Sequence, residues 1–440
     1  MKSSLYKYPL MDYQIVQRNG KGFGLVPLWG ELPKDFGADN SIIARVVRED
    51  DNLEIIGWTE CVIEGNKWSV DLSVPQGGLY RFEVSLFTKG GLTEWSPRIK
   101  TVYHVGVGDI YVSCGQSNMA GYGRDGAYDP PEMGVNAFAA DGKWCIATQP
   151  LNDPRGSLFG FEEPSVGTSP LLSFARTLRH RTGLPIGIVP SAVGGTPLSA
   201  WMINKGEYNC FAAMAKRLEM IGDFKGFVWY QGCSDTDSSE LAATYYDRFC
   251  LMTASWRKKY GFKPFITVQL NRWAGKRREY GVVRDAQRRA ALTLKGVYLV
   301  PAHDMPMSDG IHNSSSANVI IGERMAYAAL KEIYNLPGQT APMIAKVKYE
   351  DETHVRLIIN PGHSVMLMDG TAYEMSVTDG AGETLCKGAC TLGGDIIVET
   401  ERPYTLPATF SFDFDSHTTQ FPPKDVSGMP LCACCGVPIE

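Results

Sequence analysis

The sequence predicts an α/β protein: a three-layer α/β/α core, a parallel sheet with helices on both faces, set between two β-rich stretches. Three observations predict it. From about Val107 to Tyr334, short apolar runs alternate with amphipathic stretches of helical period, the pattern of a parallel sheet covered on both sides. Ahead of that region and beyond it, apolar residues recur at every second position, as half-buried antiparallel strands require. At 440 residues the chain also exceeds what one hydrophobic core serves, so roughly two to four domains are expected. We divide it into an N-terminal β-sandwich at 1–105, an α/β/α unit carrying the chemistry at 106–336, and a C-terminal β-rich unit at 337–440.

In chain order, "KWSVDLSV" places Trp68, Val70, Leu72 and Val74 on one face of a strand, and "LYRFEVSLF" does the same with Tyr80, Phe82, Val84 and Leu86. Pro75 to Gly78 reads as the turn between them, and repetition of the unit makes a sandwich of roughly 100 residues. "DIYVSC", Asp109 to Cys114, opens the α/β region as a buried strand. A helix follows with Ser169 as N-cap, Pro170 at its first position and Gly183 after its last turn. "PIGIVP", "FKGFVWY", "PFITVQL" and "GVYLVP" supply further strands, with helices around Tyr245 to Tyr260, Arg284 to Thr293 and Val319 to Tyr334. Pro and Gly punctuate a linker over Asn335 to Pro342. Beyond it, "HVRLII" and "GGDIIVET" are strands again.

With 44% hydrophobic, 11% aromatic and 21% charged residues, the composition is that of ordinary folded protein. The 43 Lys and Arg against 48 Asp and Glu give a formal charge of −5, which offers no electrostatic footprint for nucleic acid or an anionic membrane. One dense basic cluster, Gly275 to Arg289, has helical spacing in its second part and is expected to form a solvated helix face. The 11 cysteines, scattered singly through a long chain, read as reduced thiols. "MKSSLYKYPLMDYQ" has no apolar h-region, and no stretch approaches about 18 uninterrupted apolar residues. Neither export nor a membrane span is expected, and the expected location is cytoplasmic.

In an open α/β sheet, function gathers at the carboxyl ends of the strands, where the next loop leaves the edge. Four such loops carry the residue types that acyl transfer requires. Ser117 follows the strand Asp109 to Cys114; Gly194, Gly195 and Thr196 follow "PIGIVP"; Gln231 to Asp237 follow "GFVWY"; His303, Asp304, Asp309 and His312 follow "GVYLVP". A serine hydroxyl is a poor nucleophile until a base takes its proton, and an imidazole in hydrogen-bond reach is the usual means. His312 is the candidate base. Asp309 stands three positions earlier in "SDGIH", a spacing that brings carboxylate and ring to one side of a tight loop, where the acid fixes the tautomer and stabilises the imidazolium. The tetrahedral oxyanion needs donors held in place beforehand, each worth roughly 3 to 4 kcal/mol; the Ser117 amide, an amide of Gly194 or Gly195 and the Gln231 side chain are the candidates. Each element alone has a plainer reading as a turn or as core. Their joint placement at one rim is what points to an acyl-transfer site.

These residues resemble the SGNH-type hydrolases, in the sialate O-acetylesterase and acetylxylan esterase branch. Gly115 to Met119 reads G-Q-S-N-M; "GGTPLSAW", Gly194 to Trp201, is similar to the second block; Trp229 to Ser234 resembles W-Y-Q-G-E-S; Asp309 to His312 reads D-G-x-H; and Arg284 to Gln287 reads R-x-A-Q. The resemblance implies a flavodoxin-like SGNH core with flanking N- and C-terminal β-sandwich domains. It implies Ser117 as nucleophile, His312 as base, Asp309 as its orienter, and Ser117, Gly195 and Gln231 as oxyanion-hole donors. The activity implied is release of acetate from O-acetylated sugars, most like that of a sialate O-acetylesterase, with acetylxylan or another hemicellulose as the alternative substrate and a catalytically inactive carbohydrate-binding protein as the alternative function. No cofactor is implied, and the partner is an O-acetylated sugar or glycan. "HTTQFPPKDVSGMPLCACC" resembles the group's C-terminal stretch. One departure stands out: Cys233 occupies the place of the usual glutamate in Q-G-E-S.

Trp201 and Trp273 read equally as stacking walls for a sugar or as plain core. Arg272 and Arg278 have the chemistry to fork a carboxylate such as that of a sialic acid, against the plainer reading of surface arginines. His303, Asp304, Asp309 and His312 together make a rival metal set, though without the H-x-x-x-H or H-E-x-x-H helix of such sites. Cys432 to Cys435 offer too few ligands for a zinc site alone; with Cys386 and Cys390 they make a second, weaker candidate. No metal is expected.

Overall fold

The computed structural model describes residues 9–34, 36–92, 96, 98–160, 167–203, 209–368, 374–415 and 421–440. Arg98–Gly115 forms a single strand of 18 residues, so the expected division near residue 105 falls inside an unbroken element. Its first half alternates in burial and pairs antiparallel with Gly77–Phe87. Its second half is buried without interruption from Val105 to Gly115, because it lies between parallel neighbours, Ile186–Pro190 on one side and Gly226–Tyr230 on the other.

Around it the core sheet runs in the order Trp144–Ile146, Val135–Phe138, Ile186–Pro190, Arg98–Gly115, Gly226–Tyr230, Phe265–Gln269, Val297–Pro301. Every neighbouring pair is parallel except the first, at the edge. The two edge strands were not expected from sequence, since runs of three and four residues are too short to show a period. Helix Leu171–Thr182 packs on Ser315–Glu332 over one face, and Tyr245–Tyr260 packs on Glu279–Thr293 over the other. This is the mixed α/β core that the alternating pattern predicts. Boundaries shift where caps were misjudged. The last helix begins at Ser315 because the Ser314 hydroxyl accepts the Ala317 N–H. The first long helix begins at Leu171, with Pro170 at the cap and Ser169 bonded to the Met119 carbonyl. Among the described residues no helix is long and apolar enough to cross a membrane.

In the N-terminal stretch, Phe23–Glu31, Lys67–Pro75 and Val62–Glu64 make one sheet, and Ser41–Arg48 pairs with both Glu54–Glu60 and Gly77–Phe87 in another. Val26, Trp68 and Leu72 of the first sheet meet Ile42, Phe82 and Val102 of the second in one hydrophobic cluster. The turn at Pro75 to Gly78 therefore carries the chain from one sheet to the other and does not close a hairpin. The C-terminal stretch is β-rich, as expected. Among the described residues seven of its nine strands form one sheet, from Ile344–Asp351 to Cys434–Pro438, while Val365–Met366 pairs with Lys424–Asp425 apart from it; the ends of the larger sheet meet at a bridge between Val347 and Ile439. Register shifts near Ile344, Tyr349, Cys386 and Phe410 supply the coiling that lets an antiparallel sheet close on its own core. Part of the C-terminal stretch singled out in the sequence, residues 417–420, lies outside the described residues.

The basic cluster also corrects the sequence reading, because its helix is not a solvated face. Arg284 is fully buried and donates from Nε to the Leu270 carbonyl (3.0 Å), from Nη2 to Asn271 (2.5 Å) and from Nη1 to Asp413 (3.1 Å) and Asp415 (2.6 Å). Arg288 reaches the Ile344 carbonyl and Asp285. The helix is the seam between core and C-terminal sheet, and its cations satisfy carbonyl oxygens on both sides. Replacing Arg284 strands several buried acceptors, each worth about 1.5–3 kcal/mol when bonded to a charged donor. We expect Arg284→Met to lower the denaturant midpoint by the equivalent of at least about 3 kcal/mol. Arg289→Met, one turn on and 45% exposed at its side chain, should change it by less than about 0.5 kcal/mol.

Candidate active site

Four loops at the carboxyl rim of the parallel sheet meet around a cavity of about 350 Å3. The first loop leaves the central strand at Gly115, where φ is +134° and a Cβ would stand 2.1 Å from the Tyr230 carbonyl oxygen. Only glycine passes there, and the chain then turns Ser117 into the cavity wall at the start of the short helix Ser117–Ala120. Gln116 and Tyr122 line the same wall. Gln116 anchors the neighbouring loop, its Oε1 accepting the Gly232 N–H at 3.0 Å.

The second loop brings Gly194 and Gly195 to the cavity. Gly195 has φ +69°, and nothing lies within 4 Å of where its Cβ would be, so conformation and not crowding selects glycine there. Neither the Ser117 nor the Gly195 amide donates to another described residue, which leaves both available to a ligand oxygen.

The fourth loop supplies His312. Its Nδ1 lies 2.7 Å from Asp309 Oδ2, while Asp309 Oδ1 accepts the N–H groups of Ile311 (2.9 Å) and His312 (2.8 Å). Burial pushes the Asp309 carboxyl up, but the His312 bond and these backbone donors outweigh it and hold the acid below its ordinary range. An ionised carboxylate only accepts, so Nδ1 carries the hydrogen of this bond, and in a neutral imidazole that tautomer makes Nε2 the acceptor. Tyr122 stacks on the imidazole with centroids 4.9 Å apart at 26°, fixing the ring plane. Ser117 and His312 line one cavity, and no hydrogen bond joins them among the described residues; bonds of this kind often tighten only around a substrate.

Gln231 sits elsewhere than predicted. Its Nε2 donates to the Thr196 carbonyl (3.2 Å) and to Asp235 Oδ2 (2.6 Å), while its Oε1 accepts from the Tyr245 hydroxyl (3.0 Å). Both amide hydrogens are committed and the side chain is fully buried, so it ties the second loop to the third and does not reach the cavity. The substrate-binding expectations also shift. Trp201 is core, edge-on to Trp229 and fully buried. Arg272 is buried and donates to the Met305 carbonyl. Trp273 stacks parallel on Tyr280, with the Arg277 guanidinium 4.7 Å from its ring centroid, and is not among the cavity-lining residues. Arg278 pairs with Glu383 at 2.6 Å. The rival metal set divides in two: His312 lines the cavity with Asp309 bonded behind it, whereas Asp304 pairs with Arg324 and burial pushes the fully enclosed His303 down to about 3. Among the described residues no group of three or more His, Cys, Asp or Glu is placed to hold a metal ion, and all 11 cysteines are unpaired.

Sequence reasoning missed Tyr122, Asn118, Asn271 and Asp237. The first two stand within five residues of Ser117, and their aromatic and amide types were the available signal. Asp237 was inside a loop already placed at the rim.

With this geometry in view, comparison with known proteins is decisive. Residues 107–331 match the family described as carbohydrate esterase, sialic acid-specific acetylesterase. The chain belongs to that family. A probable carbohydrate esterase of Arabidopsis thaliana is 30% identical over 249 residues, spanning 50% of this chain and 90% of the plant protein. The crystal structure of a carbohydrate acetylesterase from Xanthomonas citri superposes with a TM-score of 0.70 at 21% identity, covering 96% of this chain and 97% of that one. The fold likeness therefore extends beyond the matched esterase segment into both β-rich flanks, and the core is that of SGNH-type carbohydrate esterases.

Cys233, which departs from the glutamate of the resembled motif, lines the cavity. Burial pushes its thiol up to about 11, so near neutral pH it is un-ionised and a weak nucleophile. We expect Cys233→Ala to keep ester hydrolysis within about fivefold of the parent, because no step needs a thiolate. A loss of three orders of magnitude in initial-rate assays would transfer the nucleophile's role to sulfur.

Proposed function

We propose that the protein is a serine-dependent carbohydrate O-acetylesterase in which Ser117, His312 and Asp309 act as a triad and the amides of Ser117 and Gly195 form the oxyanion hole. The observation that carries this reading is the His312–Asp309 pair, which engages Nδ1 and so leaves Nε2 as the ring nitrogen free to serve the cavity that Ser117 also lines. Ser117 Oγ attacks the acetyl carbonyl carbon as its proton passes to His312 Nε2. The oxyanion collapses, the bond to the sugar oxygen breaks, and His312 returns the proton to that oxygen. Water, deprotonated by His312, then attacks acetyl-Ser117; acetate leaves and the proton goes back to the serine. No cofactor enters these steps. We read 106–336 as the catalytic domain and the flanking units, 1–105 and 337–440, as separate β domains; hydrophobic clusters confined to Leu10 through Val107 and to Ile344 through Ile439 support this.

The resemblance favours a sialate as the acyl donor, but the cavity favours an uncharged sugar. Among the described residues no Lys or Arg lines it, and the carboxylate that does is Asp237, which pairs with Arg277. Arg124 lies over the Tyr122 ring at 5.8 Å, outside the lining. A carboxylate-bearing sugar would therefore enter beside an acid without a cation in the wall.

Released acetate from acetylated xylo-oligosaccharides, manno-oligosaccharides and sialosides tests both points. Ser117→Ala should lower every rate at least about a thousandfold while activity persists in chelator; an unchanged rate overturns the mechanism and leaves a carbohydrate-binding protein as the better reading. Neutral substrates should exceed sialosides in kcat/KM, and the reverse order, abolished by Arg124→Gln, would restore the sialate reading.

A further inference from the structure

We propose that Asn118 is a positioning residue that sets the separation of Ser117 and His312; the inference rests on the triad reading above. Asn118 follows Ser117 directly and is 1% exposed. Its side-chain amide grips the backbone on both sides of His312: Oδ1 accepts the Asn313 N–H at 2.9 Å, and Nδ2 donates to the Ile311 carbonyl at 3.3 Å. A second amide converges on the same carbonyl, with Asn271 Nδ2 at 2.8 Å. Asn313 is held in turn by the Tyr230 hydroxyl and by Asn318, each at 3.1 Å.

The need for such a clamp follows from the loop itself. Between the strand Val297–Pro301 and the helix Ser315–Glu332 the chain has no regular secondary structure apart from an isolated bridge between Met307 and Asn313. The backbone of His312 is therefore placed by individual hydrogen bonds, and its ring inherits that placement. Asn118 offers one donor and one acceptor in a single plane, matching the carbonyl and the N–H that flank the histidine. Asp keeps the acceptor and loses the donor; Ala loses both. Because Asn118 shares a helical turn with the nucleophile, serine and histidine are referenced to one another through two hydrogen bonds and not through the long path of the sheet. A misplacement of about 1 Å between reacting groups is enough for about a hundredfold loss in rate.

The test compares the intact parent, Asn118→Ala, Asn118→Asp and Ser117→Ala. Two quantities are read below each melting temperature: kcat and KM for acetate release, and the rate at which a fluorophosphonate labels Ser117. The second needs an activated serine but no sugar site. Asn118→Ala should lose about a hundredfold in kcat and in labelling rate with KM within twofold, and Asn118→Asp should fall between it and the parent. If Asn118→Ala does not fold, Asn118→Asp carries the test alone with a loss of at least fivefold. A variant that melts lower yet keeps the parent's kcat and labelling rate makes Asn118 a stability residue and overturns the proposal. Parent protein that releases acetate but is labelled no faster than Ser117→Ala overturns the triad reading, and this proposal with it. Normal parent labelling with unaffected Asn118 variants overturns this proposal only.

Discussion

The strand Arg98–Gly115 is the constraint from which the rest of the molecule hangs. One half is an edge-paired strand of the N-terminal β unit and the other is the centre of the parallel sheet. Neither unit can rotate against the other without breaking a continuous ladder. Where the halves meet, Asp109 is fully buried as a side chain and receives Arg18 at 2.9 Å, Gln17 at 2.8 Å and the Tyr334 hydroxyl at 2.9 Å. A buried carboxylate is tolerated only when paired and hydrogen-bonded, and here the partners come from the N-terminal strand Ile15–Gln17, the residue after it, and the chain leaving the last helix. Six residues on, the strand ends at the glycine that crosses Tyr230 and releases Ser117. The candidate nucleophile is thereby fixed to the least mobile element of the fold.

A second line of support reaches the histidine from the opposite end of the chain. The C-terminal sheet presents the Asp413 and Asp415 carbonyls to Arg284, which also holds Leu270 and Asn271. Asn271 then bonds the carbonyl beside His312. Packing forces act over the whole seam, but this chain of charge-assisted bonds is directional and specifies the height of one loop. The C-terminal unit is thus mechanically part of the rim, whatever else it binds.

Much of the frame was legible in the sequence because it is written in periods. Every strand that borders the cavity loops showed as a short apolar run, and the spacing of Asp309 and His312 announced a local pair. What could not be read depends on tertiary partners. The arginines of the helix Glu279–Thr293 have the spacing of an exposed face, yet the C-terminal sheet covers Arg284 and Arg288, and nothing in a 15-residue window reveals that neighbour. Gln231 is indistinguishable by type from an oxyanion donor until Asp235 and Tyr245 are seen to saturate it. Trp201 and the sugar-wall reading part company for the same reason, since an aromatic in a short helical turn such as Leu198–Trp201 is core or surface according to what packs on it. The curl of the C-terminal sheet arises from bulges, which leave no mark in an alternating pattern.

The cysteine at position 233 ties these threads together. The resembled motif has an acid there, whereas here the residue is a thiol that faces Asn271 and Tyr280. Arg284 lies near enough to act on it electrostatically. Burial pushes that guanidinium's pKa down, and Asp413, Tyr280 and Glu374 draw it back up. Asp413 and Glu374 belong to the C-terminal stretch, so acids on that unit help to compensate a cation buried in the esterase core. A buried cation needs its compensation but is indifferent to which element supplies it. With an un-ionised thiol at 233 and the acids lying on the seam, the charge that balances Arg284 sits behind the cavity wall, and the core depends on its C-terminal partner for it.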